Sequence, residues 1–341
     1  MLRYRLFGRT GLRVSELILG AMTFADEHLD TRVRAGRAAA QEMFDAYVEA
    51  GGRTIDTANR YTDGDSERIV GELVAHDRDA FVLSTKYTIT NDGTNANASG
   101  NHRKNLRTSL EQSLRRLQTD HVDILWVHIW DRQTPIDETI RALDDVVRAG
   151  KVLYLGISDT PAWVVSRANT IAELRGWTRF EGLQLPYSLI QREIERELLP
   201  MADAFDLAVT AWSPLGSGVL SGKFLGGDAG ATRVDPSAIS ERDTRIAREV
   251  VAVATDVGAT PSQVAIAWLR QRSPRILPIL GAKNVEQLRD TLGALDVELP
   301  ADAVTRLDEV SAIELGFPSD MIDRLQGFIH GEVGAQVDPR P

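Results

Sequence analysis

The chain has 341 residues, with 39 Lys and Arg against 49 Asp and Glu for a formal net charge of -10, so it has no electrostatic basis for a non-specific grip on nucleic acid or an anionic membrane. It contains no cysteine, which excludes disulfides, thiolate metal sites, iron–sulfur clusters and a cysteine nucleophile. No stretch reaches the roughly 18 apolar residues of a membrane helix, and the first twenty residues interleave four arginines and a glutamate with apolar residues, unlike a secretory signal; a cytoplasmic location is expected.

Residues 2–15 read as a short hairpin turning at Gly8 to Gly11, placed to cap the bottom of the fold that follows. Short runs rich in Val, Ile and Leu then alternate with longer amphipathic stretches. The runs are Glu16 to Leu19, Thr54 to Ile55, Phe81 to Thr85, Val122 to Val127, Val152 to Ile157, Gly182 to Leu185, Ala208 to Ala211 and Ile276 to Leu280. Between them, Leu106, Leu110, Leu114 and Leu117 form one helical stripe, and Ile136, Ile140, Leu143 and Val147 form another. Thr134-Pro135, Thr160-Pro161 and Thr260-Pro261 each place a capping hydroxyl before a proline suited to the first helical position, and Gln263 completes a capping box with Thr260. Gly51 and Gly150 stand where helices stop, shortly before the next runs.

Eight strand–helix units with no polar linker, and no G-x-G-x-x-G turn after the first run, favour a closed (β/α)8 barrel over a doubly wound open sheet. A single domain over 1–341 is expected, with 1–15 as the hairpin cap, extra C-terminal helices and a tail from 313. The polar, glycine-bearing segments 87–101 and 216–240 follow the third and seventh runs, on the face where barrels do chemistry.

Functional groups of parallel barrels stand at the carboxyl ends of strands. There Asp56 ends the second run, Lys86 the third and His128 the fourth, and Tyr61 lies five residues past Asp56. Adjacent strands are about 4.8 Å apart, so the acid, amine and imidazole can converge. A tyrosine titrating near 10 is a poor proton exchanger at neutral pH, but an adjacent ammonium lowers that value. Lys86 would supply the ammonium, Asp56 would hold it, and His128 would orient a substrate oxygen. The set makes a proton donor for a carbonyl becoming an alcohol.

G-x-x-x-I-D-T-A-x-x-Y (Gly51 to Tyr61) with Ser66-Glu67 and Gly71, S-T-K at 84–86 and V-H-I-W-D at 127–131 carry a resemblance. It continues through G-I-S at 156–158, Q-x-x-Y-S-L at 184–189, W-S-P-L-G-S-G-V-L-S-G-K at 212–223 and I-L-G-A-K-N-V-E-Q-L at 279–288. Over nearly its whole length the chain resembles the aldo-keto reductase superfamily, above all its branch of aryl-alcohol dehydrogenases and potassium-channel β-subunits.

The resemblance implies a catalytic tetrad of Asp56, Tyr61, Lys86 and His128, with Tyr61 the general acid in reduction. It implies NADPH extended across the barrel mouth, direct hydride transfer to an aldehyde or ketone, and no metal. Ser158 and Gln184 would hold the carboxamide, Trp212 would pack against the nicotinamide, and Ala21 and Met22 would line its edge. Ser213, Leu215, Ser217 and Lys223 would meet the pyrophosphate. Gly281, Lys283, Gln287 and Asp290 would embrace the adenosine, Lys283 favouring a 2′-phosphate, with Arg233 assisting. Two residues depart from the pattern: Asp159, where relatives usually carry a neutral or basic side chain, and Thr291, where most carry asparagine.

Taken singly, each of the four has a bland reading as helix cap, rim histidine or packed aromatic, and only their convergence argues for chemistry. Phe24, Tyr87 and Trp130 stand as a candidate aromatic substrate wall, with plain packing as the alternative. Two rival functions stay open: a Schiff-base lyase acting through Lys86, and a non-catalytic or slow nucleotide-sensing subunit. The expected partner is a small carbonyl or alcohol substrate, not nucleic acid or a membrane.

Overall fold

The computed structural model describes residues 1–26, 34–90, 92–226 and 235–337. The N-terminal segment pairs with itself: β1 (Tyr4–Leu6) and β2 (Arg13–Ser15) form the expected antiparallel hairpin. Eight parallel strands follow: β3 (Ile18–Gly20), β4 (Thr54–Asp56), β5 (Val82–Tyr87), β6 (Val122–Val127), β7 (Val152–Ser158), β8 (Phe180–Pro186), β9 (Ala208–Trp212) and β10 (Ile276–Gly281). They pair in chain order, and β10 also pairs with β3, closing a (β/α)8 barrel.

The helices around it include α1 (Arg37–Glu49), α2 (Asp65–Val74), α3 (Arg103–Leu117), α4 (Ile136–Arg148), α5 (Ala162–Arg175), α6 (Leu198–Phe205), α7 (Glu241–Val257), α8 (Pro261–Arg272) and α9 (Val285–Leu292). The C-terminal extras are α10 (Ala301–Val310) and α11 (Ser319–His330), the latter burying no residue. Among the described residues no single helix is long and apolar enough to cross a membrane.

The helical stripes behave as apolar periodicity requires: Leu106, Leu110, Leu114 and Leu117 of α3 are all buried, as are Ile136, Ile140 and Leu143 of α4. Thr260 accepts from the Gln263 amide while Gln263 Oε1 accepts from the Thr260 amide, the predicted capping box. The other two Thr-Pro caps are corrected. Pro135 and Pro161 are themselves the cap residues, in extended conformation, which leaves the preceding threonines one position too early. Thr134 Oγ1 donates instead to Asp131, and Thr160 Oγ1 to the Ser158 carbonyl.

Several strands extend beyond the apolar runs that announced them: β4 includes Asp56, β5 includes Lys86, and β7 includes Ser158. The ladder does not stop where hydrophobicity stops, so these polar side chains inherit strand register.

Below them the barrel axis is filled. Phe7, at the turn of the hairpin, is fully buried and meets Trp126 edge to face at 5.9 Å between ring centroids. Val14, Ile18, Ile124, Ala208, Leu277 and Ile279 complete this inner cluster. Trp126 is level with Gly156 of β7 in the ladder, and a Cβ on Gly156 would lie 2.1 Å from the indole; one on Gly182 would lie 2.5 Å from Phe7. Two bulky rings thus occupy the space that two missing side chains leave. Gly156→Ala is expected to destabilise the fold by about 1–3 kcal/mol through overpacking, read as a lower denaturant midpoint at unchanged slope.

Candidate active site

The ladder explains why three polar residues meet. Asp56 is in register with Ser84, two residues before Lys86 on the neighbouring strand, and alternation points Ser84 and Lys86 to the same side as Asp56. Lys86 Nζ donates to Asp56 Oδ2 at 2.5 Å and to the Thr57 carbonyl at 2.8 Å. Asp56 Oδ1 accepts from Ser84 Oγ at 2.8 Å and from Gln184 Nε2 of β8 at 3.1 Å. Every listener in this network is buried: Asp56, Ser84, Lys86 and Gln184 are each at most 3 % exposed. A buried charge pair is tolerated only when its remaining polar atoms are also bonded, and Ser84, Gln184 and the Thr57 carbonyl meet that need. Burial works against the Lys86 ammonium, but Asp56 and Tyr61 outweigh it, and its pKa lies above the ordinary lysine value.

Tyr61 opens a tight turn in which Thr62 and Asp63 adopt left-handed backbone. Thr62 anchors that turn, its hydroxyl donating to the Phe24 carbonyl at 2.6 Å and accepting from the Ser66 amide at 3.0 Å. The Tyr61 ring is thereby set 4.6 Å from Lys86 Nζ and edge to face with His128, centroids 5.9 Å apart. His128 follows β6 directly, its amide donating to the Tyr87 carbonyl. The four predicted residues therefore surround one point.

The electrostatics correct one expectation. Burial is the largest influence on the Tyr61 hydroxyl and raises its pKa above the usual tyrosine value; Lys86 pulls it down, but Asp56 and Asp159 push with burial. Tyr61 thus holds its proton, with Lys86 limiting the rise. His128 is pushed down to about 3, first by burial and then by the Lys86 charge, so its ring is neutral at physiological pH. His128 Nδ1 is buried with no hydrogen-bond partner among the described residues. A buried polar atom without a partner invites an explanation.

The residues assigned to a nicotinamide cofactor line the same rim. Ser158 of β7 is level with Gln184 of β8, and both are buried; Trp212 ends β9, and its indole N–H donates to Asp159 Oδ1 at 3.4 Å. Ala21 is buried, its carbonyl accepting from Ser66 Oγ, whereas Met22 is 45 % exposed at the edge.

After β9, Ser213, Gly216, Ser217 and Gly218 all take positive φ, the kind of backbone that forms anion-binding concavities. Leu215, half-buried, packs against the core beside it. The Lys223 ammonium folds back over Gly218, where a Cβ would come within 3.0 Å of Nζ. A glycine-lined concavity with a lysine laid across it fits a diphosphate.

Beyond the exposed Gly281 at the end of β10, Asn284 caps α9 through the Gln287 amide, and the Lys283 amide donates to Gln287 Oε1 at 3.1 Å. Lys283 therefore stands at a helix N-terminus, a place that favours phosphate. Asp290 has a structural task in addition to the one assigned: its Oδ1 accepts from Thr260 Oγ1 at 2.7 Å and Gln263 Nε2 at 3.3 Å, tying α9 to the α8 capping box. The Thr291 hydroxyl turns back on its own helix, donating to the Leu288 carbonyl. Arg233 lies outside the described residues. Among those residues, no three metal-ligating side chains cluster.

The aromatic wall is redrawn. Phe24 and Tyr87 are each 1 % exposed and belong to the core, the Tyr87 hydroxyl spent on the Asn101 carbonyl; packing accounts for both. Trp130 stays half-buried and stacks edge to face on Trp163, which is 60 % exposed. Trp163 sits in the first turn of α5, directly past the end of β7, so an aromatic just inside a helix start was the signal that could have found it. Sequence reasoning quoted Glu67 without giving it a role; it is fully buried, accepts from Thr85 Oγ1 at 2.6 Å and from Arg116 Nε at 2.6 Å, and so clamps β5 beside Lys86.

Comparison with known proteins places the chain in a family. The model of the aldo/keto reductase family matches residues 16–312. A putative aryl-alcohol dehydrogenase of Saccharomyces cerevisiae is 36 % identical over 336 residues, covering 94 % of this chain and 89 % of the relative. An aldo-keto reductase of Aspergillus calidoustus is 38 % identical over 339 residues, covering 94 % and 85 %. A norsolorinic acid reductase of Aspergillus flavus is 36 % identical over 319 residues, covering 92 % and 81 %.

Proposed function

Since the chain belongs to the aldo/keto reductase family and shares its oxidoreductase character, we propose that it reduces an aldehyde or ketone to an alcohol with NADPH, Tyr61 giving the proton. The carrying observation is the meeting of the Asp56-paired Lys86 ammonium, the Tyr61 ring and the unpartnered His128 at one end of the barrel. When bound, NADPH supplies the hydride.

The chain's own residues do the rest. Neutral His128 directs a hydrogen bond at the carbonyl oxygen and fixes its approach. Tyr61, still protonated at neutral pH, passes its proton to that oxygen as negative charge gathers there. Lys86 stabilises the phenolate left behind, and Asp56 keeps the ammonium charged and in place. Run backwards, the same phenolate takes the proton of an alcohol.

A lysine held charged is a poor nucleophile, which counts against a Schiff-base lyase. The Trp130–Trp163 pair at the mouth and relatives named for aryl alcohols support an aromatic carbonyl as the substrate class. A panel of aromatic aldehydes, diketones, keto-steroids and keto-sugars followed by loss of NADPH absorbance is expected to show turnover, with aromatic aldehydes fastest. If NADPH binds and no member is consumed, the nucleotide-sensing reading replaces this one.

NADPH in place of NADH rests on Lys283 at the α9 N-terminus. Losing a charge-assisted contact to a 2′-phosphate, Lys283→Met is expected to weaken NADPH binding by about tenfold to a hundredfold and NADH by less than about twofold. Equal weakening of both, measured by fluorescence titration, would remove the 2′-phosphate assignment.

A further inference from the structure

Asp159 sets an acidic side chain beside the hydroxyl of Ser158 and the indole of Trp212. It follows Ser158 at the end of β7, and its carboxylate reaches across the end of β8 to accept from the Trp212 indole of β9. The carboxylate thus meets Ser158, one of the residues assigned to the nicotinamide carboxamide, and Trp212, the ring assigned to stack on it. Its backbone is held left-handed, with φ of 42°, a conformation that aspartate and asparagine tolerate better than most residues. Burial raises the Asp159 pKa above the usual aspartate value, while the Trp212 indole and then the Lys86 ammonium, already committed to Asp56, favour its charged form.

Resting on the proposed function, we infer that Asp159 is a specificity-determining residue that makes the site hold the oxidised nicotinamide in preference to the reduced one. The physical reason is elementary: the oxidised ring carries a positive charge and the reduced ring carries none, so a fixed carboxylate beside the ring acts on one form only. An effector with unequal affinity for two states shifts their balance by that inequality. The adenosine and diphosphate contacts are common to both forms and cancel in the comparison.

The test is a pair of dissociation constants, for NADP+ and NADPH, read by tryptophan fluorescence on the full chain at pH 8 without substrate. Asp159→Asn removes the charge and keeps the shape. It is expected to shift the affinity ratio toward NADPH by about tenfold, the size of one charge acting at several ångströms through a partly screened site. Asp159→Glu keeps the charge and is expected to hold the ratio within about twofold of the parent. A ratio unmoved in Asp159→Asn, or moved alike in both variants, overturns the inference, because a steric effect would not follow charge. Should Asp159→Asn fail to fold, Asp159→Ser makes the same removal. If the parent chain binds neither form, the cofactor reading itself falls; if it binds both and the ratio ignores charge, only the role of Asp159 does.

Discussion

Tyr61→Phe is expected to lower kcat by about two to four orders of magnitude, the range that a positioned general acid contributes, while cofactor affinity stays within about twofold. The separation follows from geometry. The ring packs 5.9 Å from His128 and lies 4.6 Å from the Lys86 ammonium, and phenylalanine keeps both contacts. Only the hydroxyl is lost, and nothing nearby replaces it: His128 is neutral, and Lys86 is committed to Asp56 and the Thr57 carbonyl. Kinetics on an aromatic aldehyde alongside cofactor titration reads both quantities. Retained turnover in the variant would show that another group moves the proton.

Lys86→Met reaches further, because it damages the fold as well as the chemistry. The Asp56 carboxylate would stay buried with only Ser84 and Gln184 donating to it, and stranding a buried charge costs about 3–5 kcal/mol. Turnover should fall by about two to four orders of magnitude as the phenolate loses its counter-charge. The double variant Asp56→Asn with Lys86→Met separates the two effects: stability should recover in part, since no charge is left unpaired, whereas turnover should not. Recovery of both would reduce the lysine to a structural part. Borohydride added with a carbonyl substrate should leave Lys86 unmodified in the parent chain, and trapping there would revive the lyase.

Much of this site is legible before any coordinates, because parallel strands place their last residues on one rim and apolar runs show where strands end. Asp56, Lys86 and His128 each close such a run, and their meeting follows from neighbouring strands with a two-residue side-chain period. What stays hidden depends on burial, which the order of residues does not report. The pKa of Tyr61 is the plainest case: burial raises it, and the neighbouring Lys86 charge, which residue order makes visible, lowers it. Phe24 and Trp130 follow strand ends and Tyr87 closes one, yet Phe24 and Tyr87 are core and Trp130 is only half-buried. Thr134 and Thr160 mislead for another reason, since a proline can occupy either the cap itself or the position after it, and a Thr-Pro pair does not distinguish the two. Asp290 could be seen as a ligand of a nucleotide but not as the tie between α9 and the cap of α8, thirty residues earlier in sequence.

Phe7 gives the cylinder a closed floor. Traffic is therefore single-ended: whatever reaches Tyr61 departs by the doorway it used on arrival. A coenzyme and a smaller guest that share that doorway cannot pass each other in it, so whichever lies deeper must arrive first and leave last. Compulsory order of arrival and departure, visible in product-inhibition patterns, would then be a property of a stoppered tube and would owe nothing to any moving gate.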